Sequence, residues 1–348
     1  MYLDNIQFRT INLNRSYLRK EIEGFLNEHG LLLEKDIDFT IGVYDEDTII
    51  GTGSLSGNVL KCIAINPTYQ GLGISNKIIT LLIDEQYQRG NTHLFIFTKP
   101  DNLKIFQDMG FKEIERVDGK VSLLENDPRG IEKYVEEIKT KKVDGEVISA
   151  IVMNCNPFTL GHLYLIEKAS KTSDVVHIFL VWEDRSLFPN DVRLKLLQEG
   201  TRHLNNIIIH KGKDYIISNS TFPSYFLKEK NTVVKSHAML DIKIFGRYIA
   251  PALGINQRIV GEEPNDPVTK EYNLTMKELL PEYSIKVIEI PRLEEEKEVI
   301  SASKVRKMIS ENKINVLESL VPNSTHKFIM SDESKVIINK IKESYKNH

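Results

Sequence analysis

The sequence contains little that would mark a disulfide-stabilised, membrane-spanning or nucleic-acid-binding protein. Its 348 residues include only two cysteines, and Cys62 and Cys155 lie far apart without metal-ligand spacing, so we expect two buried, reduced thiols. No apolar run approaches the roughly 20 residues that span a bilayer, and the first residues lack the features of a secretion signal. The 46 basic and 49 acidic residues are spread along the chain and leave a net charge of −3. We therefore expect a cytoplasmic protein, with neither nucleic acid nor a membrane as a partner.

What the sequence does contain is enough ordinary globular character for two domains. Hydrophobic residues make up 41% and charged residues 27%, as in an average soluble protein. Domains usually have roughly 100–200 residues, so this length suggests two of them. Pro128 and Gly130 introduce a highly charged stretch that continues to about Val143, which indicates the boundary. We predict one domain at residues 1–130, a linker helix at 131–145 and a second domain at 146–348.

The two halves of the chain differ in their hydrophobic pattern. The first half has short apolar runs bounded by turn residues and one helical stretch, which predict strands at Asp38–Tyr44, Thr48–Leu55, Val59–Ile65 and His93–Thr98 and a helix at Ile74–Arg89. That mixture favours an α+β domain. In the second half, strands alternate with helices, and the strands are predicted at Val147–Met153, Val175–Trp182, Ile207–His210, Arg258–Gly261 and Ile285–Ile290. We therefore predict an α/β protein whose second domain is a doubly wound, Rossmann-like parallel sheet.

The stretch from Met153 to His162 leaves a predicted strand and enters a helix through Pro and Gly. Ligands of open α/β sheets bind at this carboxyl edge, where the N–H groups of a helix N-terminus attract anions. Gly161 permits close backbone approach, and His162 can donate an N–H group to a phosphate oxygen. A Gly-His pair alone is more often a turn with a surface histidine. The candidate binding residues of this stretch are Asn156, Pro157, Phe158, Thr159, Gly161 and His162.

A second candidate anion site lies at Ile300–Arg306. Ser301 is a natural helix N-cap, Ser303 falls in the first turn, and Arg306 follows three residues later near the same helical face. Together these side chains would form an anion cradle. An ordinary capped surface helix is the alternative interpretation.

Between these two motifs, Gly261, Glu262 and Glu263 follow a predicted strand. At the carboxyl edge of the sheet, the two carboxylates could meet a ribose hydroxyl or magnesium through solvent, although solvated loop carboxylates are equally consistent with the pattern. Arg193 lies on a helix after Phe188-Pro189. From there it could reach a phosphate, but we expect it to be an exposed surface arginine.

The stretch Thr159-x-Gly161-His162, taken with Ile300-Ser301-Ala302-Ser303-Lys304-Val305-Arg306, resembles the two signatures of the nucleotidyltransferase superfamily. The resemblance implies that these side chains hold ATP at its α- and β-phosphates, with His162, Thr159 and Arg306 as the catalytic residues. Magnesium would accompany ATP, and no dedicated protein metal site is expected.

Other segments are similar to the citrate lyase ligase family over nearly the whole chain: Tyr215–Lys228, His237–Asp241, and Gly261–Pro264 with Tyr272–Asn273. The resemblance implies that acetate attacks the α-phosphate of ATP, releasing pyrophosphate. The acetyl group of acetyl-adenylate would then pass to the thiol of the phosphoribosyl-dephospho-CoA arm on the acyl carrier (gamma) subunit of citrate lyase. AMP is the second product, and acetylation activates the lyase. Our first candidate for substrate contact is Ser218–Pro223.

In the first half, Gln70-x-x-Gly73-x-Ser75 resembles the pyrophosphate loop of the GNAT acetyltransferase family. The resemblance implies that Gln70, Gly71, Gly73 and Ser75 grip the pyrophosphate of a CoA-like arm. The tyrosine that is frequent in that family is Phe106 here, which has no hydroxyl group to protonate a leaving thiolate. We therefore expect the GNAT-like domain to dock the arm rather than to catalyse.

Two other functions remain open at this point. A pantetheine-phosphate-type adenylyltransferase would release a stable adenylylated product instead of transferring an acyl group. A GNAT-type acetyltransferase or acyl-CoA-binding module would consume or bind acetyl-CoA without cleaving ATP.

Overall fold

The computed structural model describes residues 5–182, 186–216, 230–263, 266–295 and 298–346. These residues form two compact units. The first contains the chain up to Lys133 together with the described residues of 222–240, and the second contains the remainder. The domain limits at 130 and 146 that the sequence suggests stay a proposal.

The first unit is built on a seven-stranded sheet with helices. Its elements are β1 (Ile6–Thr10), α1 (Ser16–Glu28), β2 (Phe39–Asp45), β3 (Thr48–Ser56), β4 (Val59–Ile65), α2 (Ile74–Gln88), β5 (Phe95–Thr98), α3 (Leu103–Gln107), β6 (Lys112–Val117) and β7 (Val121–Glu125). The next helix, α4 (Gly130–Lys139), begins in this unit and continues into the second. The strand order is β1-β2-β3-β4-β5-β7-β6. This is the predicted α+β domain.

Strands β4 and β5 are parallel neighbours that separate along their length. They pair only at Val59 with Phe95 and at Leu60 with Ile96. Because β4 continues to Ile65 and β5 to Thr98, their second halves diverge and open a cleft between them. The other neighbouring strands of this sheet are antiparallel.

The second unit alternates strands and helices around a parallel sheet. After α4 the chain continues with β8 (Ile148–Met153), α5 (Leu160–Thr172), β9 (Val175–Leu180), α6 (Asn190–Gly200), β10 (Ile207–Lys211), α7 (Lys230–Ile244), a π-helix (Phe245–Ile249), α8 (Ala250–Leu253), β11 (Gln257–Gly261), α9 (Pro267–Leu279), β12 (Lys286–Ile290), β13 (Glu294–Glu295), β14 (Glu298–Val299), α10 (Ala302–Ser310), α11 (Asn323–Ile329) and α12 (Lys335–Lys346). Of these elements, α7 up to Leu240 belongs to the first unit, and the others belong to the second. Among the described residues, no helix combines the length and apolar character needed to cross a membrane.

The strand order of this second sheet is β10-β9-β8-β11-β12, and all neighbours are parallel. The order reverses between β8 and β11, which makes their carboxyl ends the switch point where doubly wound sheets bind ligands. The predicted fold class is therefore confirmed, and the two candidate loops after Met153 and Gly261 leave the sheet at this point.

The two faces of the second sheet differ in polarity. One face contributes Ile151, Ile178 and Ile259 to an apolar core shared with α5 and the C-terminal helices. Side chains alternate along each strand, so the opposite face receives His177 and Arg258, which both lie beside Ala150 in the register. Both of these polar side chains are buried.

Candidate active site

The chain between β8 and α5 turns sharply before the helix begins. Cys155 has a φ of +54°, and the Asn156–Pro157 peptide bond is cis. Phe158 is fully buried, and its carbonyl accepts a hydrogen bond of 2.9 Å from the Thr325 hydroxyl group. The turn is therefore anchored in the core, which fixes where α5 starts.

Thr159 and His162 cap α5 reciprocally. The Thr159 hydroxyl oxygen accepts from the His162 backbone N–H at 3.4 Å, and His162 Nδ1 accepts from the Thr159 backbone N–H at 3.1 Å. Because Nδ1 is an acceptor, the proton of the neutral ring lies on Nε2. Burial, and secondarily the charge of Arg292, lower the pKa of His162 to about 4. His162 is therefore a neutral ring at pH 7 that offers an Nε2–H donor.

Few backbone donors at the start of α5 are available to a ligand. The N–H of Leu160 donates to the Leu320 carbonyl at 2.9 Å, and that of His162 donates to the Thr159 hydroxyl group. In the described part of the chain, the N–H of Gly161 has no such acceptor. This group and the Nε2–H of His162 are the donors that this helix end can present to an anion.

Gly161 brings the two sequence motifs together. A Cβ atom at this position would lie 2.8 Å from the backbone carbonyl oxygen of Ile300, so only glycine allows the contact. Ile300 directly precedes Ser301, which caps α10 by accepting from the Lys304 backbone N–H at 3.2 Å. The N-terminal ends of α5 and α10 therefore lie side by side.

Arg306 joins the same two motifs through its guanidinium group. Its Nη1 atom donates to the carbonyl oxygen of Asn156, and its Nη2 atom donates to the Ser303 hydroxyl oxygen at 3.1 Å. The structure thus places Asn156, Thr159, Gly161, His162, Ser301, Ser303 and Arg306 in one region, where two helix ends, an arginine and a neutral histidine can contact an anion.

The loop after β11 contributes two acidic residues. The Gly261 carbonyl accepts from Asn273 Nδ2 at 3.0 Å, and the Glu262 N–H donates to the Ile290 carbonyl at 2.9 Å. The nearest neighbour of a Cβ atom built on Gly261 is the Cγ atom of Arg292, at 3.9 Å. The loop is therefore tied to α9 and to the end of β12.

Arg292 is a site residue that sequence reasoning missed. It follows β12, donates through Nε to the Glu262 carbonyl, and forms an ion pair with Glu263. Its charge also acts on His162. The sequence contained a signal for this residue, because Ile290-Pro291-Arg292 places a cation directly after a predicted strand of the parallel sheet. The carboxyl ends of such strands share one edge, so side chains that follow them lie near the site.

The expectation that Arg193 is exposed is wrong. Its side chain is completely buried and donates to the Phe188, Asn154 and Val181 carbonyl groups at 3.0, 2.7 and 2.8 Å. It also donates to the side chains of Asn154 and Asn190. These acceptors come from separate segments at the edge of the sheet, so Arg193 holds the loops in place and does not reach a ligand.

Two further expectations concern contact with the small substrate and a metal ion. Ser218–Pro223, the first candidate for substrate contact, lies outside the described residues. Within the described ranges, no cluster of three or more His, Cys, Asp or Glu side chains could hold a metal ion. The carboxylates of Glu262 and Glu263 still fit a magnesium ion that arrives with a nucleotide.

The first unit contains a cleft of about 630 Å³ between the separating strands β4 and β5. Gln70, Gly71 and Ser75 line it, together with Phe106. Gly73 caps α2 with a φ of +76°, and Gly71 has a φ of +80°, so both use backbone conformations that favour glycine. The volume is that of a small-molecule site.

Comparison with known proteins agrees with this architecture. The family model for the citrate lyase ligase C-terminal domain matches residues 148–329, and the acetyltransferase (GNAT) domain model matches residues 17–120. A citrate (pro-3S)-lyase ligase from Klebsiella pneumoniae is 40% identical over 316 residues, which cover 90% of this chain and 92% of that protein. A phosphopantetheine adenylyltransferase from Syntrophomonas wolfei is 41% identical over 54 residues, 15% of this chain and 34% of that protein.

Among solved structures, a putative nicotinate-nucleotide adenylyltransferase from Vibrio parahaemolyticus has 16% identity and a TM-score of 0.35, covering 56% of this chain and 95% of that chain. The class is defined by the two family models: an α/β enzyme in which a domain of the citrate lyase ligase C-terminal type follows a GNAT-type domain. Within this class, the full-length similarity is specific. The chain belongs to the citrate lyase ligase family.

Proposed function

We propose that this enzyme activates acetate with ATP and acetylates the CoA-like arm of the citrate lyase acyl carrier subunit, which activates the lyase. An acetate oxygen attacks the α-phosphorus, the bond to the leaving pyrophosphate breaks, and acetyl-adenylate forms. The thiol sulfur then attacks the acetyl carbon, AMP leaves, and the thiol proton passes to solvent. The cytoplasm is the compartment we propose for this reaction.

The observation that carries this proposal is the contact between the Thr159–His162 cap and the Ser301–Arg306 helix start. Transfer at a phosphate needs positioning and charge stabilisation more than covalent participation by the protein. The Nε2–H of His162 can donate to a phosphate oxygen without first having to be charged. Arg306 and Ser303 supply a cation and a hydroxyl group beside it.

The acidic loop fits the nucleotide's magnesium. Magnesium keeps several of its waters and binds proteins through one or two carboxylates. Glu262 and Glu263 follow β11 at the switch point, and Arg292 neutralises Glu263 in the structure. We infer that, with a nucleotide bound, Arg292 would be the cation available to a phosphate and Glu263 the carboxylate available to the hydrated magnesium.

The cleft of the first unit supports a docking role for the GNAT-like domain. Where β4 and β5 separate, their facing backbone groups have no strand partner within the described part of the chain, so an extended arm that contains amide groups can pair with them. Phe106, which is 6% exposed, lines the cleft without a proton to donate. We propose that Gln70, Gly71, Gly73 and Ser75 hold the pyrophosphate of the arm and that this domain delivers the thiol.

A negative charge in the pyrophosphate loop tests this docking role. Ser75→Glu should raise the KM for the thiol form of citrate lyase about 10-fold through repulsion of the pyrophosphate, while acetate-dependent pyrophosphate release stays unchanged. Thr80→Glu, an exposed change on the same helix, is the matched control. If Ser75→Glu and Thr80→Glu had the same KM for the thiol form of citrate lyase, the docking role of this domain would be contradicted.

Pyrophosphate release from ATP tests the function as a whole. The purified protein is compared without addition, with acetate, and with acetate plus the thiol form of citrate lyase. We expect acetate-dependent release, with AMP and a reactivated lyase in the complete mixture. Release without any carboxylate, or no release with any, would contradict the assignment.

The similarity to phosphopantetheine adenylyltransferase supports one alternative function, that of an adenylyltransferase. Such an activity would convert ATP and a phosphopantetheine-type substrate into a stable adenylylated product. Mass spectrometry of the products distinguishes the ligase from the adenylyltransferase, because the ligase forms AMP and a thioester instead of a stable adenylylated product. Consumption of acetyl-CoA without ATP cleavage would instead identify an acetyltransferase.

A further inference from the structure

The polar face of the second sheet contains a buried arginine, Arg258, two of whose guanidinium nitrogens have no hydrogen-bond acceptor among the described residues. Arg258 is 4% exposed, and its Nε and Nη1 atoms are buried with no hydrogen-bond partner among the described residues. The other buried arginine of this unit, Arg193, donates to three carbonyl groups and two side chains. Arg193 therefore has the set of hydrogen-bond acceptors that a buried arginine with a structural role requires. Arg258 has no comparable set among the described residues.

The surroundings of Arg258 compensate its charge only in part. Its guanidinium carbon lies 4.4 Å from the centroid of the Phe245 ring, in the π-helix. The Tyr272 hydroxyl group donates a hydrogen bond to Asp241, and both of these side chains act electrostatically on Arg258. Burial has the larger effect on Arg258 and lowers the pKa of its guanidinium group. A buried cation without direct hydrogen bonds is costly to the folded state. π-Helical turns of this kind frequently occur at functional sites.

The position of Arg258 relates it to the carboxyl edge of the sheet. Tyr272 precedes Asn273 on α9, and Asn273 Nδ2 donates to the carbonyl oxygen of Gly261, the last residue of β11. Arg258 lies three residues before Gly261, roughly 10 Å along a strand. The Tyr272–Asp241 pair, which acts electrostatically on Arg258, is thus connected through Asn273 to the carboxyl end of β11.

We propose that Arg258 is the binding site for the carboxylate of the small acid substrate. This inference rests on the proposed function, since it assigns the second substrate of that reaction. A carboxylate provides the acceptors that the guanidinium group lacks and neutralises its charge. The Phe245 ring, which packs against the guanidinium group, makes the surroundings of this cation partly apolar. The nucleotide phosphates have separate donors at His162, Ser303 and Arg306, so the two substrates have distinct sites.

Arg258→Met tests the proposal because methionine fills similar space without hydrogen-bonding groups. In steady-state assays with sodium acetate and magnesium–ATP, we expect the KM for acetate to rise about 10- to 100-fold, as for lost hydrogen bonds to a charged group. The KM for ATP should stay within about threefold. The Tm should be unchanged or higher, because Nε and Nη1 have no hydrogen bond to lose and a buried charge that is compensated only in part is removed.

Arg193→Met is the matched control, and it should lower the Tm because it leaves buried carbonyl groups without donors. Broadening of the ¹³C-acetate NMR signal gives a second, activity-independent measurement, which wild type should show and Arg258→Met should lose. An unchanged KM for acetate, a raised KM for ATP alone, or a Tm loss like that of Arg193→Met would each overturn the proposal. Wild type that broadens the acetate signal but releases no pyrophosphate would leave this site intact and refute the proposed function.

Discussion

The ring of His162 is held through its Nδ1 atom, and this contact decides what its Nε2 atom can do. The Thr159 backbone N–H selects the tautomer, and burial keeps the ring neutral by lowering its pKa to about 4. A charged imidazolium would lose the contact with the Thr159 N–H, because both of its nitrogens are donors. The cap and the proposed catalytic role therefore require the same protonation state.

Removing either proposed charge-stabilising side chain should slow acetyl-adenylate formation strongly. We expect His162→Ala and Arg306→Ala each to lower the rate of acetate-dependent pyrophosphate release about 100-fold or more. Lys307→Ala, an exposed neighbour on α10, should have little effect. Near-normal rates for either variant would contradict its role.

The pH dependence of the same reaction tests the neutral form of His162. With a pKa of about 4, the ring stays neutral from pH 5.5 to 8, so its titration should not limit the rate in that range. The difference between wild type and His162→Ala should therefore be constant there. An advantage of wild type that disappears above pH 6.5 would show that the charged ring is needed.

Arg292 provides another test at the scale of single residues. Arg292→Gln should raise the KM for ATP about 10-fold, because hydrogen bonds to a charged phosphate are lost. The Tm should fall modestly, since Arg292 is 29% exposed while the side chain of its partner Glu263 is 8% exposed. Lys286→Gln, at the opposite end of β12, is the control. An unchanged KM for ATP would show that Arg292 only positions the Glu262–Glu263 loop.

At the scale of elements, the site depends on how closely α5 approaches the segment before α10. Gly161→Ala would place a Cβ atom 2.8 Å from the Ile300 carbonyl oxygen, and neither backbone can yield without separating the two helix starts. We expect a loss of about 1–3 kcal/mol in the free energy of unfolding, with loss of pyrophosphate release. Urea unfolding measures the first quantity. Gly24→Ala, in α1 with nothing within 4 Å of the added atom, should not destabilise.

The elements themselves were largely predictable, because short apolar runs bounded by turn residues define β2, β3, β4, β8 and β9 without tertiary information. The partly exposed strand β1 was not predicted. Residue environments that depend on several segments were also missed. The burial of Arg193 follows from acceptors at Asn154, Val181 and Phe188, and no local pattern contains their spatial arrangement. The roles of the proposed site residues stay predictions until variants are measured.

At the scale of the whole molecule, a buried histidine pair should make stability depend on pH. His177 Nδ1 and His210 Nε2 are 2.9 Å apart, and burial lowers their pKa values to about 4 and about 3. Unfolded histidine titrates near 6.5, so the unfolded state takes up more protons as the pH falls. The stabilising effect of the neutral pair is present above pH 6.5 and is lost progressively toward pH 4.

We therefore expect the Tm to fall by several degrees between pH 7 and pH 5. The double variant His177→Leu/His210→Phe replaces both rings by apolar side chains and should show a flatter Tm–pH curve over this interval. Differential scanning calorimetry provides the measurement. Parallel curves for wild type and the double variant would show that other groups cause the pH dependence.

The hydrogen bond from Arg306 to the Asn156 carbonyl joins residues 150 positions apart in the chain. During synthesis, the first motif therefore emerges from the ribosome long before the helix that completes the site. A nascent chain arrested before Arg306 has emerged would carry the Thr159–His162 cap without its partner. If the proposed site binds nucleotide, binding would then begin only after this late contact has formed.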